Sequence, residues 1–161
     1  MAYDFKLVSP ESQTFSQRRI VGSGGAATID IGTPTKQGTA GAVAIMVDGD
    51  GTTSQKFTGI AKSTSTDTAA AAGEVNVWYP LPGLIYSGKA KSAAAADTQA
   101  EIDALQGKRV VFDLTATVWT VDTAAADSAS ANGVEIVGGE YQTSTIYFIV
   151  RVGVSINNLT T

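Results

Sequence analysis

The stretch that decides the fold runs from Phe57 to Tyr86 and reads FTGIAKSTSTDTAAAAGEVNVWYPLPGLIY. It holds two short apolar runs, Phe57–Ala61 and Val75–Tyr79, joined by a polar, alanine-rich connector that closes on Gly73. In Glu74-Val75-Asn76-Val77-Trp78 the alternation sets Val75 and Val77 on one face and Glu74, Asn76 and Trp78 on the other. That is the period of a half-buried strand. Pro80 and Pro82 lack the amide hydrogen a central ladder needs, so this strand ends abruptly or lies at an edge. The reading is a β-hairpin scaffold, and it carries no chemistry by itself.

Working outward toward the N-terminus, Ala42–Val47 is an apolar run suited to a buried strand. Asp48-Gly49-Asp50-Gly51 is a strong turn signal, and Phe57–Ala61 is expected to return after it as the partner strand. Ala27–Ile31 alternates as a further strand, ended by Gly32-Thr33-Pro34. Gly22–Gly25 forms a flexible joint. Before it, Met1–Arg19 scatters Tyr3, Phe5, Leu7 and Phe15 among polar residues with no clean period. This predicts an extended N-terminal arm over 1–21 and a single β-rich domain over 22–161. The alternative is a frayed terminus with one edge strand.

Toward the C-terminus, Ala93–Gln106 is rich in good helix formers, with Ser92 as N-cap and Gly107 at a left-handed stop. Ile102 and Leu105 would press this helix onto the sheet. Strand signals resume over Arg109–Val121, read as one strand with a bulge, and again at Val134–Val137 and Thr145–Val154. Asp122–Asn132 is a polar loop between them. The fold class predicted is mainly β: a small β-barrel or β-sandwich of short strands with one packed helix.

Composition narrows the function classes. Of 161 residues 43% are hydrophobic, but alanine supplies more than a third of these and buries little area per residue. A core of that kind gains from association, because partners that bind only the folded state stabilise it by mass action. Charged residues make up 16%, and the net charge of −4 has the wrong sign for a generic binder of nucleic acid or anionic membrane. The basic pairs Arg18-Arg19 and Lys108-Arg109 read as solvated flanks of strands. There is no Cys and no His, so neither a thiolate zinc site nor a Ser-His triad can form. No secretory leader or apolar membrane span is expected from the sequence.

The motifs that invite chemistry fail their templates. A calcium loop of the EF-hand kind begun at Asp48 would need Gly at Thr53 and Glu at Gly59. Gly22-Ser23-Gly24-Gly25 lacks the Lys-Ser/Thr and the following helix of a phosphate cradle. Glu101 and Asp103 are two apart and point to different faces of the helix. Trp78-Tyr79 and Trp119 could stack on sugar rings, or pack at a subunit boundary where aromatics are enriched. No catalytic residue, metal or cofactor is expected.

The order FxGIAxxT…AAGEVxVxxP…G, taken with Gly41-Ala42-Val43-Ala44 upstream, resembles the head decoration (cement) proteins of tailed, lambda-like bacteriophages. The likeness is clearest over about Gly32–Lys91. It implies a non-enzymatic virion protein, made in the host cytoplasm, that sits on the outer surface of an icosahedral capsid. Its partners would be the major capsid protein and itself, as a homotrimer, with no direct nucleic acid and no membrane. By position, the arm residues Tyr3, Phe5, Leu7 and Phe15 would contact the capsid. Trp78, Tyr79, Leu81 and Leu84 would form the oligomer interface. The rivals are a carbohydrate-binding virion module using Trp78, Tyr79 or Trp119, and another virion part such as a tail-tube or head–tail joining subunit.

Overall fold

The computed structural model describes residues 5–9, 16–21, 28–48, 57–68, 70–126 and 133–151. Eleven strands and one α-helix are formed among them: β1 (Lys6–Ser9), β2 (Ser16–Val21), β3 (Pro34–Gln37), β4 (Val43–Ile45), β5 (Phe57–Ala61), β6 (Gly73–Trp78), β7 (Ile85–Lys89), α1 (Gln99–Leu105), β8 (Arg109–Thr115), β9 (Val118–Asp122), β10 (Val134–Glu140) and β11 (Thr145–Val150). Five of these strands close a small barrel in the order β2-β4-β3-β5-β6, and the other six form a sheet, β1-β7-β11-β10-β8-β9. The mainly-β class with one helix is therefore the fold.

The deciding stretch builds one wall of the barrel. β5 and β6 run antiparallel, with Ile60 opposite Trp78 and Ala61 opposite Val77. Val75 and Val77 point inward and Glu74 and Asn76 outward, as their alternation requires. The barrel interior is small: Val21, Ile29, Val43, Ala61, Val75 and Val77 fill it. β5 differs from β6 in being covered on both faces, which explains why its residues do not alternate; its one polar side chain, Thr58, is hydrogen-bonded to Thr35 at 2.8 Å. Ala61 faces the barrel interior, while Phe57 and Ile60 join the second core under the six-stranded sheet. Trp78 packs against that same second core, so the predicted outer face of β6 is half-covered at its end.

The second core is the larger and is built around aromatic rings. Phe5 and Phe112 lie 4.8 Å apart between centroids, Phe5 and Phe148 5.2 Å, and Phe112 and Phe148 5.7 Å. The last two pairs are edge-to-face, the arrangement that the ring quadrupoles favour. α1 closes this core through the buried Ile102 and Leu105. Across the sheet, Ala90 makes an isolated parallel bridge to Val121, so the β9 edge curls back onto the end of β7.

Several expectations change in detail. β1 pairs with β7, Phe5 is fully buried, and β2 is a wall of the barrel across from β6. The described part of 1–21 thus belongs to the two sheets, and a boundary after Val21 would separate β2 from the barrel it helps to close. The physical reason is that Phe5 and Leu7 share a strand face whose partner lies some eighty residues away in sequence, where no local period reveals it. The 27–31 run is not a strand over its described residues. Ile29 instead exchanges hydrogen bonds with Ser65, its N–H donating to Oγ at 2.9 Å and its carbonyl accepting from the Ser65 N–H at 2.8 Å. The strand begins at Pro34, where the sequence suggested a stop.

β5 is the neighbour of β3 and β6, not of β4, so Asp48–Gly51 does not join two paired strands. Gly49 to Lys56 lie outside the described residues, as does the joint at Gly22–Gly25. Arg109–Val121 is a hairpin rather than one bulged strand, turning at Ala116, which takes a left-handed φ of 58°. The helix is shorter than predicted because Thr98 outcompetes Ser92 as its cap. Thr98 accepts from the Glu101 N–H while the Glu101 carboxylate accepts from the Thr98 N–H, a complete capping box. Gly107 does stop it, with φ at 79°.

Candidate binding surfaces

The eight residues singled out from the sequence separate into three groups. Tyr3 and Phe15 lie outside the described residues. Phe5 and Leu84 are buried, 0% and 2% exposed, so neither meets a partner from where it stands. Leu7, Trp78, Tyr79 and Leu81 are half-buried. Leu81 and Trp78 both rest on the larger core and border the Pro80-Leu81-Pro82 turn, where the Leu84 N–H donates to the Leu81 carbonyl. That turn does bring together three of the four residues expected at an oligomer interface. Trp119 is only 3% exposed, which removes it from any stacking platform.

Among the described residues no group of three or more His, Cys, Asp or Glu side chains could hold a metal ion. Asp48 accepts from the Leu114 N–H at 2.9 Å through its side chain, tying the end of the barrel to β8. No helix among the described residues is long and apolar enough to cross a membrane.

The charged clusters that do form staple strands together. Lys91 Nζ stands 2.6 Å from Asp113 Oδ1 and 3.2 Å from Asp122 Oδ2, joining the chain after β7 to the β8–β9 hairpin. Asp113 also accepts from the hydroxyls of Thr115 at 2.7 Å and Thr120 at 3.4 Å. Burial pushes the Asp113 carboxyl up, but the hydrogen bonds from Lys91, Thr115 and Thr120 outweigh it, and the net displacement is downward. Hydrogen bonds to Asp113 and Asp122 hold the Lys91 ammonium above its ordinary range. A second staple joins Glu135 on β10 to Arg109 and Arg151, and the Arg151 hydrogen bond is the main cause of its lowered carboxyl.

These shifts carry a pH prediction. With its folded value below the unfolded one, Asp113 contributes stability that is complete above its ordinary value of 3.8 and lost as the pH falls through its folded value. Urea melts of the wild type between about pH 5 and 2 should therefore lose stability more steeply than those of Asp113→Asn. Identical acid slopes for the two proteins would show that the Lys91 cluster is not linked to folding.

Sequence reasoning passed over one concave surface. Gln17, Arg18, Arg19 and Ile20 on β2 face Ala40, Gly41 and Ala42 across a cleft of about 300 Å³. The far wall is a tight turn between β3 and β4 in which Ala40 and Gly41 both take left-handed backbone, with φ at 54° and 78°. The Arg18-Arg19 pair was the available signal, but nothing in the sequence says that the barrel wall opens beside it.

No protein-family model matches the sequence, and no curated protein matches it. The functional reading consequently rests on the residues and their arrangement.

Proposed function

We propose that the chain is a head decoration protein, binding the outer surface of an icosahedral phage capsid and stabilising it by bridging capsomers. One observation carries most weight: most residues of the resemblance in β5 and β6 are packing positions, either inside the barrel or between it and the second core. Gly59, Ile60 and Ala61 are all buried in β5, and Gly73, Val75 and Val77 are buried in β6. A Cβ at Gly59 would stand far inside contact with the Trp78 carbonyl, and one at Gly73 inside contact with the Asp67 backbone. With these six members packed and Gly41, Thr64, Ala71, Ala72, Glu74 and Gly83 of the pattern at the surface, the match falls mainly on positions that hold the scaffold, which supports kinship with decoration proteins better than a run of surface residues would.

The mechanism on this reading is non-enzymatic. Many modest contacts, repeated by the symmetry of the shell, sum to a large stabilisation of the seams between capsomers. Homotrimers are the proposed unit, with Trp78, Tyr79 and Leu81 near the subunit boundary. The carbohydrate-binding alternative is weakened because Trp119 is in the core.

The test uses phage heads assembled with the gene for this chain deleted. Purified protein added to them should co-sediment saturably and raise the temperature at which the packaged genome is released. Failure to co-sediment, with the protein folded, would refute the reading. Sedimentation equilibrium of the free protein at micromolar concentration should give a trimer mass, and a strictly monomeric mass would remove the trimer from the proposal.

A further inference from the structure

The barrel has an opening in its wall, and the opening is cationic. β2 pairs with β6 along its whole length, from Ser16 opposite Trp78 to Val21 opposite Gly73. On its other side, among the described residues, β2 meets β4 at a single position, Val21 opposite Val43. Successive residues of a strand aim their backbone N–H and C=O groups alternately to its two sides. β6 therefore satisfies one set along Ser16–Ile20, and the other set faces the cleft against Ala40–Ala42. Each such group needs a partner, from water or from another chain.

We propose that this cleft receives an extended, acidic segment of a partner protein, added as a strand beside β2. Three features fit that occupant. The edge, unpaired among the described residues, offers main-chain hydrogen bonds in register, which is how strand addition obtains affinity. Arg18 and Arg19 both line the cleft, and guanidinium forks match carboxylates bidentately. Arg18 is already engaged by Glu74 at 3.4 Å, with both side chains largely in water, so an incoming carboxylate replaces or extends an existing pair. Between them and the closed end of the seam stands Ile20, 63% exposed, an apolar contact for a neighbouring side chain of the guest strand. The left-handed Ala40–Gly41 turn folds the chain away from β2 at this point, and around Gly41 there is open space. The inference does not depend on the capsid reading, because it concerns the chemistry of the guest rather than its source.

The experiment titrates the full chain with a fluorescein-labelled peptide of alternating Val and Glu, followed by anisotropy and by amide chemical shifts. Controls are the Val and Lys counterpart, a Val and Glu peptide N-methylated along one edge, and an oligothymidylate. The acidic peptide should bind saturably, with shifts confined to Gln17–Ile20 and Ala40–Ala42. The Lys peptide, the N-methylated peptide and the Arg18→Glu/Arg19→Glu variant should each weaken binding by about tenfold or more. Should the double reversal melt early, Arg18→Gln/Arg19→Gln replaces it, with a smaller loss expected. The proposal is overturned by an absence of saturable binding, by shifts elsewhere, by equal binding of the N-methylated peptide, or by tighter binding of the oligonucleotide. It is also overturned if the protein dimerises through this cleft and the arginine variants make it monomeric, since the occupant is then a second copy.

Discussion

Replacing Phe5 with Ala lowers the stability of the free protein by about 3–5 kcal/mol, the usual cost of deleting a buried phenyl ring. In a chain of this length that moves the thermal midpoint down by on the order of 10 °C. The ring is fully buried against Phe112 and Phe148, and it lies so close over Gly88 that any Cβ there would collide with it. No neighbour can close the gap without dragging β1 off β7. A circular dichroism melt reads the effect directly, with no capsid or partner present. An unchanged midpoint would mean that the N-terminal strand is a detachable arm and that its pairing with β7 is incidental.

The second large effect is expected at Gly73, the residue that closes the connector in the deciding stretch. An added Cβ would run into the backbone of Thr66 and Asp67, and backbone cannot step aside as a flexible side-chain end can. That backbone is itself held: the Thr66 N–H donates to the Glu74 carbonyl at 3.0 Å, and the Glu74 N–H donates to the Thr66 hydroxyl at 3.0 Å. Gly73→Ala should cost at least about 3 kcal/mol, enough to leave much of the expressed protein insoluble. Gly83→Ala is the control. Gly83 has a left-handed φ of 85° but open space around it, so it should lose only about 1 kcal/mol from backbone strain. Equal melting of the two variants would contradict the packing drawn around the β5–β6 connection.

What the sequence revealed follows the range of the interactions involved. β5 and β6 were legible because their apolar spacing, the connector between them and the prolines beyond are all local. The same holds for Gly107, whose role is set by the turn it ends. Phe5 was not legible, since one aromatic beside Lys6 says nothing about a partner strand at Ile85–Lys89. Alternation sets Trp78 on the face of β6 away from the barrel interior, yet that face lies partly under a second core that includes Phe112 and Phe148 from the far half of the chain. Sequence alternation distinguishes two faces; it does not tell which of them a separate sheet will cover. Arg18 and Arg19 read from sequence as ordinary solvated flanks for the same reason. Their setting depends on β2 meeting β4 at one pair among the described residues, a property of how the barrel closes rather than of any residue in it.

The expected interface residues divide along this line too. Leu84 reads from sequence as part of an exposed, proline-punctuated segment, but the turn at Leu81–Leu84 folds it inward while leaving Leu81 at the surface edge. On the proposed function, attachment and self-association would draw on the half-buried side chains around Pro80–Pro82. Such surfaces suit contacts that are weak singly and strong in number.

The central claim is attachment to the outside of a capsid, and cryo-electron microscopy of gene-deleted heads incubated with the purified protein tests it most directly. The expected result is added density at regular positions on the outer shell, clustered in threes, into which the barrel and the six-stranded sheet fit. Bare shells under saturating protein, or density confined to the tail or the portal, would contradict it.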